Sequence, residues 1–406
     1  MKKLPVIMLA ILAAAAITMT GCDKNGKPSD KDKTQNEAVK DTGETKEGEL
    51  SLDDALAKLE EAQPKTDLDK ENIATAGGIP VSAADAKYAN ISCKAYYDQS
   101  GQGDDAEAIK NEIETYYKLN AAIMNLARKN SLRITEQDFE DNITAQIESL
   151  KSQYSDEYDT IFDTSLNQTP YLYFNSTVLN LMYQSLFDKY YGENGDADMK
   201  KEAYEATLKT FTDGDYVRAK HILIQFPEDA EKDADGNVTE ASKAATLEKA
   251  NAVLAEVQEG KKTFDELVTE YGEDPGMKTF PMGYYFSKGK MVQQFEDAAY
   301  ALDIDGISGL VETSYGYHII QRLALEDEEA VMATDEYQTT GFDKLQEMLT
   351  KESESYSVEY GENYQTKVDG FLADYAAAQE AQKKAQEQAQ AQAQTDGAAS
   401  AGTSAQ

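Results

Sequence analysis

Histidine occurs twice in this chain of 406 residues, and both copies open the same kind of phrase. One is Lys220-His221-Ile222-Leu223-Ile224 and the other is Tyr317-His318-Ile319-Ile320-Gln321. Each imidazole stands at the mouth of a β-branched, apolar run that reads as a buried strand. A pair used this way points to one shared polar site. The alternative is two satisfied core residues that tie strands together. Cysteine also occurs twice, as Cys22 and Cys93. Cys93 reads as a small apolar core residue, with no partner for an internal disulfide if Cys22 is otherwise engaged. Glu231, Asp233 and Asp235-Gly236 imitate the start of a calcium loop, but Ser242 stands where a bidentate Glu is needed, so a solvated acidic loop is expected.

The elements that must position the histidines form one block, 216–324. Tyr216 to Phe226 reads as a strand, followed by the acidic loop Pro227 to Glu240. Leu247, Ala250, Val253, Leu254 and Val257 then share a helix face, and Gly260 stops that helix. Thr263-Phe264-Asp265-Glu266 is a capping box for a second helix ending at Tyr271-Gly272. Tyr284-Tyr285-Phe286 is a short strand, about 292–302 a third helix, and Gly309–Glu312 and Tyr317–Leu323 two closing strands. The order β-α-α-β-α-β-β is that of a compact α+β domain.

Helical patterns flank this block. Residues 82–214 carry Ile109, Ile113, Tyr116, Ile123 and Leu126 at helical spacing, then Phe139, Ile143 and Ile147 after a Thr135 cap, then a helix opened by Thr169-Pro170. The many tyrosines here read as helix–helix seams. A helical segment at 334–376 is too short to stand alone, so it is expected to pack on the first block, leaving 216–324 as an inserted domain.

The ends differ in composition. Residues 22–81 are polar and hold no aromatic until the folded part, which predicts a disordered acidic tether. From about 377 to 406 the chain is rich in Ala, Gln, Gly and Ser and is expected to fray into a disordered tail. Lys2 and Lys3 followed by the apolar run Leu4–Met19 predict a signal peptide over 1–21. Met19-Thr20-Gly21-Cys22 resembles a bacterial lipobox, which implies lipidation of Cys22. Lys and Arg number 39 against 75 Asp and Glu, a net charge of −36 that argues against a nucleic-acid partner.

The second block resembles the parvulin family of peptidyl-prolyl isomerases. The phrases that carry the resemblance are Arg218-Ala219-Lys220-His221-Ile222-Leu223, Phe264-Asp265-Glu266-Leu267-Val268, Tyr271-Gly272-Glu273-Asp274, Phe286-Ser287-Lys288-Gly289-Lys290-Met291, Phe295-Glu296-Asp297-Ala298-Ala299, Gly306-Ile307-Ser308-Gly309 and Thr313-Ser314-Tyr315-Gly316-Tyr317-His318-Ile319-Ile320. They occur in the family's order. With the lipobox and the flanking helices, the chain resembles PrsA-type foldase lipoproteins of Gram-positive bacteria. The flanks resemble, more weakly, the chaperone region of SurA-like proteins. The fold this implies is a four-stranded antiparallel parvulin sheet with surrounding helices, inserted in a mainly helical SurA-like chaperone domain.

The resemblance implies a polar centre of His221, Asp274 and His318, with the two histidines side by side on central strands and hydrogen-bonded to each other. Thr313 would support them. Met291 and Phe295, one helical turn apart, and Met282 would form the apolar walls that hold proline. The chemistry asks for no metal or cofactor: an X-Pro amide isomerises slowly because resonance sets a barrier of about 18–20 kcal/mol, and no bond need break. Two departures touch the pocket rim. The family's Gly-Gly-Asp-Leu-Gly is replaced around Lys278-Thr279-Phe280-Pro281-Met282-Gly283, and no Ser follows Tyr271. The loop after His221 is acidic, which disfavours phosphoserine-directed specificity.

The expected function is a membrane-tethered extracytoplasmic foldase acting on unfolded secreted proteins with X-Pro bonds. A homodimer is compatible with it. The rival is a non-catalytic holdase with a vestigial parvulin domain.

Overall fold

The computed structural model describes residues 48–402 apart from 235 and 237, with side chains to 390. The expected signal peptide, Cys22 and the tether as far as 47 lie outside the described residues. The chain divides into two units: one takes its residues up to Lys189 and again from Leu345, and the other is Tyr190–Lys344.

In the first unit, folded structure begins much earlier than the composition suggests. Ser51 and Asp54 form a capping box that starts the helix Leu52–Ala62, which buries Leu52, Ala55 and Leu59. Asn72–Ala76 and Ile79–Ser82 pair as a hairpin around Gly77 and Gly78, both at positive φ. The third strand of this sheet is Val358–Tyr360, paired antiparallel to Asn72–Ala76. The expectation of a disordered tether through 81 is therefore corrected for 49–81. Ile73, Ala74, Ala76 and Val81 are small aliphatics whose burial depends on a strand from the far end of the chain, which local composition does not register.

The core of this unit gathers these residues with the helices Ala83–Gln99 and Ala106–Lys129. Tyr116, Tyr117, Tyr158 and Tyr171 are buried in the unit, as helix-seam tyrosines would be. Cys93 is fully buried, and burial pushes its thiol up to about 12. The returning segment was expected to be helical throughout, yet it contributes the strand Val358–Tyr360 as well as the helix Tyr364–Gly402. That helix locks in through Tyr364, whose hydroxyl lies 3.2 Å from both Asn90 Nδ2 and the Tyr117 hydroxyl. The tail expected to be disordered from 377 is helical as far as Gly402, and its side chains to 390 are nearly all exposed. Ala, Gln, Lys and Glu are strong helix formers, so a helix seeded by its packed first turns continues without burying a face.

The second unit carries the histidines. Its sheet and the helices packed around that sheet are β1 Val217–Gln225, α1 Glu240–Glu259, α2 Phe264–Tyr271, α3 Gly276–Thr279, β2 Tyr284–Phe286, α4 Gln293–Ala301, β3 Val311–Glu312 and β4 Gly316–Leu323. The sheet order is β2-β1-β4-β3, antiparallel throughout. This is the α+β, four-stranded arrangement that the residue pattern predicts, with α3 as the one added turn. Both faces are covered, which is why β1 and β4 read as nearly continuous apolar runs. Ile222, Ile224, Tyr317 and Ile319 pack with Ala250, Val253 and Leu267 of α1 and α2. Val217, Ala219 and Ile320 pack on the other face with Phe295 and Ala299 of α4.

The helix Ala197–Asp213, expected with the first block, groups with this unit. Phe211 explains the difference. It is fully buried and stacks on Tyr285 at 4.6 Å, while the Tyr204 hydroxyl donates to the carbonyl of Glu326.

Candidate active site

Strand alternation aims the two histidines at the α4 face. On β1, residues 217, 219 and 221 share one side, and on β4, 318 and 320 do so. The register pairs His221 with Ile320 and Leu223 with His318, so the imidazoles are diagonal neighbours across the β1–β4 seam. Their centroids are 5.0 Å apart at an interplanar angle of 77°. Phe295 stands edge-on to both, at 5.1 Å from His221 and 5.4 Å from His318. All three are buried, with exposures of 6% for His221, 4% for His318 and 3% for Phe295. The histidine centre thus has an aromatic wall and little access to water.

Asp274 reaches this centre because β2 is short. It pairs with β1 only over Val217–Ala219, leaving the outer edge of β1 open beyond that point. Glu273 fills the gap. Its N–H donates to the Leu223 carbonyl at 3.0 Å, and its carboxylate accepts the Gln225 N–H at 2.6 Å. The next residue, Asp274, then accepts a hydrogen bond from His221 Nε2 at 2.9 Å on Oδ2. Tyr284 donates to the same oxygen at 2.9 Å, and the Gly276 N–H donates to Oδ1 at 3.0 Å. The bond from His221 holds the Asp274 carboxyl down at about 2, with the Gly276 and Tyr284 donors adding to it and burial opposing.

The hydrogen bonds fix the ring states. Ionised Asp274 can only accept, so His221 presents Nε2–H to it and, when neutral, leaves a lone pair on Nδ1. His318 Nε2 lies 2.9 Å from Thr313 Oγ1, which itself accepts the Tyr315 N–H at 3.1 Å. Burial pulls His318 down to about 3, with neighbouring His221 adding to the effect and Asp274 opposing it. His318 is therefore neutral at physiological pH. The direct histidine–histidine hydrogen bond that the resemblance implies is absent: Nδ1 of each ring is buried without a hydrogen-bond partner. The near-perpendicular rings meet edge to face instead.

Met291 and Phe295 do not share a helix face as expected. The helix starts at Gln293 with Val292 as its N-cap, so Met291 precedes it on the entering loop. Met291 still packs, partly buried, against the Phe295 cluster. Glu296 secures that loop by accepting the Gly289 N–H at 2.7 Å. Met282 is also partly buried, and its carbonyl accepts from Nε of Arg218 at 2.8 Å. Thr313 is buried beside His318.

Three further residues matter that residue patterns gave no role. Arg218, only 4% exposed, ties Met282, Ala324 and Asp327 together through its guanidinium. Its signal was a cation in a strand whose position at 218 is buried rather than solvated. Tyr284 and Phe280 follow from the altered rim. Phe280 is 50% exposed and contacts Tyr284 at 5.6 Å, and Tyr284 lies 6.0 Å from His221. A line of rings thus runs from solvent to the buried centre.

Comparison with known proteins fits this geometry. Residues 221–324 match the family model described as the rotamase, PPIC-type PPIase domain. Foldase protein PrsA 1 of Bacillus cereus is 36% identical over 126 residues, which cover 29% of this chain and 36% of that protein. The matched segment thus spans about a third of that foldase. Peptidyl-prolyl cis-trans isomerase Pin1 of Arabidopsis thaliana is 32% identical over 115 residues, covering 27% of this chain and 97% of that protein. Among solved structures, PrsA from Bacillus subtilis aligns at 16% identity over 67% of this chain and 87% of its own, with a TM-score of 0.26. Through residues 221–324 the chain belongs to the PPIC-type parvulin family.

Proposed function

We propose that the chain is an extracytoplasmic foldase, anchored at the membrane through a lipidated Cys22, whose parvulin domain isomerises X-Pro bonds in unfolded secreted proteins. The observation that carries the catalytic half is the Asp274 carboxylate, held 2.9 Å from His221 Nε2 beside the Phe295 ring. In this reading the proline ring packs against Phe295, Met291 and Met282. Water is excluded there, and the amide loses the hydration that favours its planar, charge-separated form. Asp274, negative across the physiological range, acts electrostatically as the carbonyl twists out of conjugation. His221 and His318 keep the carboxylate and the pocket floor in register, with Thr313 bracing His318. No proton transfer to substrate is called for.

The holdase half belongs to the helical unit. Between the helices Ala106–Lys129 and Tyr364–Gly402 lies a cavity of about 570 Å³, lined by Ile109, Ile113, Tyr360, Tyr364, Val368 and Leu372 among others. Such a surface suits apolar side chains of an unfolded client. Among the described residues no helix is long and apolar enough to cross a membrane.

A second reading, a holdase without catalysis, is favoured by the altered 278–283 rim with its exposed Phe280. Deleting 216–324 separates the two. The foldase reading expects the deletion to abolish X-Pro isomerisation while much of the aggregation suppression survives. Isomerisation that is absent already in the intact chain would favour the holdase.

A further inference from the structure

The Asp274 carboxylate is gripped by more than the histidine. Its Oδ2 takes two donors, His221 Nε2 and the Tyr284 hydroxyl, each at 2.9 Å. Tyr284 comes from β2, opposite Ala219 in register, so its ring approaches Asp274 from the strand side. The approach is built for. A Cβ added to Gly276 would lie 1.8 Å from the Tyr284 hydroxyl and 3.1 Å from Cζ, an overlap no side chain could hold. Gly276 is not at positive φ, so it is glycine for space rather than for backbone freedom. Gly283, at φ +97°, turns the chain into β2, and its own Cβ would meet the Ala219 carbonyl at 3.0 Å. Two glycines therefore seat one phenol on one carboxylate.

We propose that Tyr284 is a positioning residue for the isomerase site: its hydroxyl, admitted by Gly276, orients the Asp274 carboxylate and keeps it ionised beside the bound X-Pro amide. The inference rests on the catalytic reading of Asp274 given above. A phenol whose proton is held firmly faces an ionised carboxylate as the donor, and burial with the adjoining carboxylate raises Tyr284 well above its ordinary value. With Oδ2 shared by two donors and Oδ1 holding the Gly276 N–H, the carboxylate cannot rotate without breaking three bonds.

The test uses Tyr284→Phe, which keeps the ring and its contacts with Phe280 and His221, and Gly276→Ala, which displaces the hydroxyl with the phenol still present. Two readouts are needed. The first is the titration of the Asp274 carboxyl by ¹³C NMR on the full chain, which does not depend on activity. Losing one charged hydrogen bond should raise its midpoint by about one pH unit in Tyr284→Phe, the deciding variant, because Gly276→Ala also crowds Asp274 Oδ1 directly. The second is X-Pro isomerisation, where kcat should fall about tenfold with KM changed less than about twofold. A role in packing alone predicts lower stability with the Asp274 midpoint unmoved, and that result overturns the proposal. If the wild type does not isomerise X-Pro at all, the catalytic reading fails, and with it the proposed role for Tyr284. An Asp274 shift in that case would show only the hydrogen bond.

Discussion

Acid should weaken the parvulin sheet through His318. The folded ring is pulled down to about 3 from an ordinary 6.5 by its burial, with His221 adding and Asp274 opposing. Between these values the unfolded chain binds a proton that the folded chain refuses. Stability is therefore full above pH 6.5 and is lost as pH falls toward 3. At pH 4 the loss from this one group is about 3 kcal/mol, from about 2.5 pH units at 1.36 kcal/mol each. Asp274, held at about 2 against an ordinary 3.8, adds to acid instability mainly below pH 3.8, and Glu256 and Glu266, held below their ordinary 4.5 by the Tyr271 and Thr263 donors, add near pH 4, so comparison with a His318 variant is what isolates the histidine. With only two histidines in the chain, each imidazole is resolved by NMR and reports on this unit alone. The assay is urea unfolding of wild type and His318→Gln, followed by the His221 ring signal, at pH 7.5 and pH 4. Wild type should lose about 3 kcal/mol more than the variant across that range. Should the variant fold poorly, direct titration in the wild type decides, since the His318 ring should still be neutral at pH 5. Parallel pH profiles, or a His318 ring titrating near 6.5, would refute the reasoning.

Phe295→Ala should cost about 3–5 kcal/mol, because the ring is buried against both imidazoles and its loss leaves a cavity; a urea midpoint shift worth under 1 kcal/mol would contradict its place as the pocket wall. Gly77→Ala should cost ~1–3 kcal/mol or more, since φ is +54° and the new Cβ would lie 2.6 Å from the Tyr356 ring. Gly78→Ala, at φ +78° with open space around it, should cost less, and equal losses in the two variants would contradict the packing argument.

The sheet domain was legible because its signals are local. Capping at Thr263, the stop at Gly260 and the two apolar strands each act within a few residues, and each is found where it was read. The first unit was less legible because its three-stranded sheet joins Asn72–Ala76 to Val358–Tyr360, a pairing that no short window contains. The site was divided in the same way. His221 and His318 stood out by rarity and phrase, and Phe295 by its ordered context. The Tyr284–Asp274 bond and the Arg218 clamp depend on the path of the rim loop, which is set by three-dimensional closure on β1. The missing histidine–histidine bond is likewise a matter of ring angle, which spacing does not determine.

The central claim is that this domain accelerates rotation about X-Pro bonds through a site containing Asp274. NMR exchange spectroscopy of an X-Pro peptide at equilibrium, with substoichiometric full-length protein, measures that rotation directly. The account predicts a cis–trans exchange rate that rises in proportion to wild-type protein and stays near the spontaneous value with Asp274→Ala. Exchange unaffected by the wild type, or accelerated equally by the variant, would contradict it.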